Sequence, residues 1–193
     1  MEQLAIRLSD YLQRQGIIKD DEQEIYIYSF QAMLFSGGYW LTMLAIALLV
    51  HKLPECILYF VSFFLLRSSI GGYHASSQLR CAVLSVVSFL AFIIIIQYLP
   101  SAWQGYIMGL SLLVVSGSII AYAPIDHPNR PFREGEKTYY RKRSILLLIT
   151  VWVAVVIMVY LGYQAEAVCI SLGAVQASLA LLAAHFKQRR DKK

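Results

Sequence analysis

The chain alternates between long apolar runs and short charged segments, and the runs have the length that a bilayer demands. A helix needs roughly 20 apolar residues to cross the hydrocarbon core. Ile25 to Val50 contains no charged residue and predicts one span. Cys56 to Leu66 is shorter. Extended from Pro54 to Ile70, with Glu55 and Arg67 near its ends, it gives 17 residues, about 25 Å of helix, which barely crosses. Cys81 to Ile125 carries no formal charge and is far too long for one helix; Pro100, Ser101 and Gly105 near its middle predict a hairpin of two spans. Ser144 to Ala165 and Ala167 to Phe186 predict the last two, divided by a turn at Gly162 and Glu166. Ahead of the first span, Leu4, Leu8, Tyr11 and Leu12 recur at helical spacing between charges. That pattern fits an amphipathic helix, lying either on a membrane surface or, solvated, against the rest of the protein. The predicted fold class is an all-α integral membrane protein of about six transmembrane helices, with an N-terminal amphipathic interfacial helix and lead-in segment over residues 1–24.

Composition agrees. Of 193 residues, 58% are hydrophobic and 15% charged, against about 25% charged in an ordinary soluble domain. Mean hydropathy is +0.57. So small a polar surface excludes a secreted mini-protein and a disordered regulator, and the length suits one membrane-embedded domain over residues 1–193. Cys56, Cys81 and Cys169 are odd in number, far apart and outside any CxxC or CxxH pattern, which argues against a disulfide framework or a zinc site. No metal and no cofactor is expected. The charged residues between Glu2 and Glu24 argue against a cleaved secretory leader.

The net charge of +5 acquires meaning from where it sits. With a cytoplasmic N-terminus, the inner segments are residues 1–24, 67–80, 126–143 and the tail 187–193. Of the 17 Lys and Arg residues, only Lys52 falls outside them. The positive-inside rule then predicts six spans with both termini in the cytoplasm. It also removes nucleic acid as a partner, because the basic residues frame membrane helices. A re-entrant second segment would send the later basic loops to the wrong face.

The loop 67–80 after the second span holds the candidate chemistry. It reads Arg67-Ser-Ser-Ile-Gly71-Gly72-Tyr73-His74-Ala-Ser76-Ser77-Gln78-Leu-Arg80, and Cys81 follows. A His and a Cys are the minimum for thiol nucleophilic catalysis, the imidazole taking the thiol proton and later giving one to the leaving amine. On one continuous helix seven residues rise about 10.5 Å, so the chain must turn for the pair to meet. Ser76 or Ser77 as N-cap would put Cys81 near the first turn of the third span, where the helix dipole favours a thiolate. Gly71 and Gly72 permit a backbone turn whose amides could stabilise an oxyanion. Arg67 could anchor a substrate carboxylate or simply mark the end of a span. Taken singly, each residue also has a plain reading: a buried filler cysteine, a solvated loop histidine, a Gly-Gly turn. Cys56 and Cys169 in apolar runs read as inert packing, and His51 and His185 as interfacial residues. Gly105 and Gly109 read as a GxxxG helix contact, and Ser85, Ser88, Ser116 and Ser118 as interhelical glue.

Three segments together resemble the AgrB family of membrane cysteine peptidases, which process the precursors of bacterial autoinducing peptides. Arg67, Gly71-Gly72-Tyr73-His74 and Cys81 are similar to the family's Arg…Gly-Gly-x-His-x6-Cys motif. Ala123-Pro124-Ile125-Asp126-His127-Pro128-Asn129-Arg130-Pro131 resembles its second cytoplasmic loop, and Glu24-Ile25-Tyr26 the segment leading into its first span. Where many members carry Tyr-Gly in that segment, this chain has Tyr28-Ser29. The resemblance runs over nearly the whole chain. It implies a peptidase of the bacterial cell membrane that cuts a short AgrD-like propeptide near its C-terminal side. Cys81 would be the nucleophile and His74 the base, and ring closure to a thiolactone or lactone would yield a quorum-sensing signal. It also implies a homodimer. Arg67, Gly71, Gly72 and Ser77 would support or position the pair. In the second loop, Arg130, Arg133, Lys137, Arg141, Lys142 and Arg143 could hold an acidic propeptide tail, and Glu134 and Glu136 a basic leader; the alternative for the basic residues is topology and lipid-headgroup contact.

Two other classes stand beside this one. A small peptide transporter or membrane scaffold would carry ionisable residues paired inside its spans, and the predicted spans hold almost none. A metalloprotease or lipid transferase would need HExxH or clustered aspartates, which the chain lacks.

Overall fold

The computed structural model describes residues 2–19, 22–72, 78–125, 132 and 135–191. Among them every regular element is helical: α1 (Glu2–Arg14), α2 (Gln23–Leu49), α3 (Leu53–Ile70), α4 (Gln78–Tyr98), α5 (Ser101–Tyr122), α6 (Glu136–Tyr160) and α7 (Gln164–Asp191). Among the described residues four helices, α3, α5, α6 and α7, are long and apolar enough to cross a membrane. Shorter apolar stretches, Trp40–Leu49 and Ala82–Tyr98, lie in α2 and α4. The chain is a multi-pass membrane protein.

Helix ends follow local chemistry. Pro54 sits in the first turn of α3, where a missing N–H costs nothing, and Pro100 precedes α5. The α6–α7 turn differs from the expected one. Gly162 adopts φ 86°, its N–H bonding the Val159 carbonyl at 3.1 Å while the Tyr163 N–H bonds that of Met158 at 2.8 Å. This paired closure stops α6 at Tyr160 and leaves Glu166 in the first turn of α7, at the favourable end of the dipole, instead of in the turn. α6 also starts earlier than its charge-free run. From Gly135 at φ 85° it begins at Glu136, so the basic residues from Lys137 to Arg143 belong to a helix instead of a loop.

The chain forms two compact units, Met1–His51 with Ala75–Phe89, and Lys52–His74 with Leu90–Lys193. In the first, α1 packs on α2. Ala5 and Ser9 are fully buried, the Ser9 hydroxyl donates to the Gln23 carbonyl at 3.3 Å, and Gln23 Nε2 donates to Asp10 Oδ1 at 2.8 Å. The expected apolar stripe is therefore split. Leu8 and Leu12 are half-buried, whereas Leu4 and Tyr11 stay exposed.

In the second unit α7 is the axis: a much larger share of its apolar stretch is buried than in α3, α5 or α6. Its small residues make this possible. Ala167, Ser171, Ala174, Ala177 and Ser178 are all fully buried, and small side chains let helix backbones approach closely in a bilayer. The closest approach is at Gly173, where a Cβ would run into the Tyr59 carbonyl oxygen and Ser62 Oγ of α3. Ser118 of α5 and Ser178 of α7 share a buried hydroxyl–hydroxyl bond of 2.6 Å. The ring of Phe92 on α4 stacks on Tyr59 with centroids 3.9 Å apart. Tyr59 with Gly173, Gly72 with Ala180 and Ser118 with Ser178 pair early with early and late with late, so α3, α5 and α7 run parallel. α6 starts where α5 ends and runs back. Among the described residues of the chain, a Cβ at Gly105 or Gly109, the GxxxG pair expected to mark close helix packing, meets nothing within 4 Å.

Gly173→Ala is expected to destabilise the protein by about 1–3 kcal/mol through overpacking against α3, read as a lower midpoint of thermal unfolding in detergent. Gly109→Ala, into open space, should leave that midpoint unchanged or slightly raised.

Candidate active site

Parallel α3, α5 and α7 bring their C-terminal ends, and the start of α6, to one end of the second unit. Arg67 lies in the last turn of α3 and donates from Nη1 to the Gly71 carbonyl. The chain then turns through Gly71 at φ 72° and Gly72 at φ 147°, both glycine-favouring conformations. Space demands glycine as well. A Cβ at Gly71 would strike the Ile125 carbonyl oxygen, and one at Gly72 would strike the Arg67 guanidinium and lie 3.2 Å from the Ala180 carbonyl oxygen of α7.

The stretch after α5 docks on this turn. The Ile125 N–H donates to the Ile70 carbonyl at 3.1 Å, and Ile70 and Ala123 are buried. Arg141, one helical turn and a half into α6, reaches back to the end of α5. Its Nη1 donates to the Ala123 carbonyl and its Nη2 to that of Ile120, each at 3.2 Å. Two guanidinium groups thus sit on the carbonyl ends of two helices, where the dipole favours positive charge. The rings of Tyr122 and His185 meet at 4.3 Å and tie α5 to α7 at the same level. Phe132 packs on Tyr140 at 5.6 Å.

The charge of this end is basic. Lys137, Lys142 and Arg143 on α6 and Lys187, Arg189 and Arg190 on α7 are exposed. At the opposite end of the unit, Lys52 donates to Glu55 at 2.9 Å, a hydrogen bond that lifts the lysine above its ordinary pKa. Cys56 and Cys169 lie toward that opposite end, 1% exposed each, and Cys169 Sγ bonds the Ala165 carbonyl of its own helix. Among the described residues no three His, Cys, Asp or Glu side chains group as a metal site would require.

The residues singled out in the sequence divide as follows. Arg67, Gly71 and Gly72 come together in one turn. Glu136 opens α6. Cys81 is the fourth residue of α4, counted from Gln78, and is placed by its backbone alone. His74, Ser76, Ser77, Arg130, Arg133 and Glu134 lie outside the described residues. Sequence reasoning missed the capping role of Arg141, which looks like its neighbours in a basic run. It also missed the Ile70–Ile125 bond and the Ala180 carbonyl, because main-chain partners leave no side-chain signature.

A family model described as Accessory gene regulator B matches residues 5–182. The chain is similar to an AgrB-like protein of Listeria monocytogenes serotype 4a (strain HCC23), 28% identical over 159 residues that cover 80% of this chain and 76% of that one. It is also similar to an AgrB-like protein of Clostridium acetobutylicum, 24% identical over 191 residues, covering 96% and 85%. No solved structure matches the chain.

Gly72→Ala is expected to cost about 1–3 kcal/mol, from the left-handed φ and from the displaced guanidinium. In an Arg67→Ala background the same substitution should cost less, with a non-additivity of about 0.5 kcal/mol or more. Strictly additive losses in thermal unfolding would contradict the packing of Arg67 on Gly72.

Proposed function

This chain belongs to the AgrB family, and from that premise we propose that it is a membrane cysteine endopeptidase that cuts an AgrD-like propeptide near its C-terminal side and closes the fragment into a ring. The observation that carries the reading is the docking of the two motif segments on each other. Ile70-Gly71-Gly72 and Ala123-Pro124-Ile125 are joined by a main-chain hydrogen bond and by the contact of Gly71 with the Ile125 carbonyl. Segments far apart in the chain share one end of the bundle, as the parts of one active site must.

In this reading His74 takes the thiol proton of Cys81, and the thiolate attacks the scissile carbonyl. Cys81 stands at the opening turn of α4, and the positive end of a helix dipole favours the thiolate. The tetrahedral oxyanion finds main-chain N–H donors near Gly71 and Gly72. Collapse breaks the C–N bond, the imidazolium gives its proton to the leaving amine, and a thioester to Cys81 remains. A thiol or hydroxyl within the bound peptide then loses its proton to His74, attacks the thioester and expels Cys81. Exchange between two thiols is nearly neutral in energy, so exclusion of water decides between cyclisation and hydrolysis.

Arg67 serves as a positioning residue, since its guanidinium is already committed to the Gly71 carbonyl. Arg130 and Arg133, with Glu136 at the start of α6, contact the propeptide. The membrane arrangement is six spans, α2 to α7, with both termini in the cytoplasm of a bacterial cell and a second copy completing a homodimer. The basic residues gathered at the Gly-Gly end of the second unit, against a lysine–glutamate pair at the other, support placing that end inside.

Co-expression with a candidate propeptide, having an amphipathic head, a central Cys or Ser and an acidic tail, tests the reading. Cys81→Ala, Cys81→Ser and His74→Ala should insert normally and lower cleavage by at least about a hundredfold. Wild-type chain trapped in acid should carry the peptide on Cys81 as a hydroxylamine-labile adduct. Near-normal cleavage by well-inserted Cys81→Ala would end the proposal.

A further inference from the structure

The face of α1 turned away from α2 is built from two kinds of residue. Leu4, Arg7, Tyr11 and Arg14 follow the i, i+3, i+7, i+10 spacing that lines one side of a helix. Leu4 is 49% and Tyr11 59% exposed, and Arg7 and Arg14 are exposed beside them. Among the described residues neither arginine is ion-paired. The stripe contains no acid, and Asp10, on the same helix, accepts a hydrogen bond from Gln23.

The tethers of α1 set its depth. Ser9 and Asp10, in its middle, bond to the carbonyl and side chain of Gln23, the first residue of α2. α2 has 27 residues, about 40 Å, which exceeds a hydrocarbon core of roughly 30 Å. With α2 crossing the bilayer as proposed above, its first turn reaches the headgroup layer, and α1 is held at that level with its mixed stripe unpartnered among the described residues. Apolar side chains alternating with arginines match the boundary between acyl chains and phosphates.

We infer that the Leu4–Arg7–Tyr11–Arg14 face of α1 docks on anionic lipid headgroups, with Leu4 and Tyr11 entering the acyl boundary and the two arginines meeting lipid phosphates. This surface does not rest on the peptidase chemistry; it rests on the six-span arrangement proposed above, in which α2 crosses the bilayer. It gives the cytoplasmic rim a lipid-dependent anchor beside the point where α2 enters the bilayer.

Hydroxyl-radical oxidation of Tyr11, followed by peptide mass spectrometry, reads the insertion directly. The full chain is reconstituted in phosphatidylcholine vesicles and in vesicles with about 30 mol% phosphatidylglycerol, where each arginine near the surface favours the docked form about fivefold. Tyr11 should oxidise several-fold more slowly in the anionic vesicles. High salt should shrink the difference, and Arg7→Gln/Arg14→Gln should abolish it while Ser9 and Asp10 keep α1 on α2. Equal oxidation in the two vesicle types overturns the inference. So does protection that rises with protein-to-lipid ratio in either vesicle, which marks a second copy, or that needs added peptide, which marks the substrate.

Discussion

The close run of α3 along α7 is the constraint on which the second unit depends. Between membrane helices lipid is as apolar as leucine, so hydrophobicity alone does not hold one helix against another. What holds α3 is backbone approach at Gly173, where the Tyr59 carbonyl and the Ser62 hydroxyl fill the space a side chain would take. Two turns further along α7, the same register brings the Ala180 carbonyl to Gly72. The geometry of the Gly-Gly turn is thus set by a contact in the middle of the bundle.

That turn gains its shape from carbonyl groups that need partners. The last carbonyls of a helix have none within it, and here two are supplied by arginine. Arg67 serves the end of α3 from within, and Arg141 serves the end of α5 from a neighbouring helix. The basic residues at this end consequently have different tasks. Arg67 and Arg141 are engaged in shaping it, while Lys137, Lys142 and Arg143 face outward, available to headgroups or to an acidic peptide.

The proposed chemistry fits such a rim. Thioester exchange retains an activated acyl group only where water is scarce, and a rim beside the bilayer offers apolar surface next to backbone donors. The polar groups buried in the spans are mostly serines bonded to main chain or to each other, such as Ser171 to Ala167 and Ser118 to Ser178. These satisfy hydrogen bonds in a dry interior, and the charged residues stand at the helix ends.

Most of the helices were legible from charge-free runs, and their breaks from Pro100 and Gly162, because run length and backbone φ are properties of a few neighbouring residues. The Arg, Gly-Gly, His and Cys motif was legible too, as residue types in an order. The start of α6 was not: a helix former such as Lys or Arg continues a helix past the edge of the apolar run, and hydropathy stops at the membrane boundary. Nor was the difference between Gly109, which faces open space, and Gly173, which admits α3. A membrane helix is apolar on every side, so composition does not say which side meets protein and which meets lipid. The division of α1 into Leu8 and Leu12 against α2, with Leu4 and Tyr11 left out, is the same matter at the surface. The amino-acid order determined which segments are helices and which residue types stand at their ends. Only the tertiary structure decided which faces touch and which carbonyls the arginines reach, because those depend on backbone approach between segments far apart in the chain.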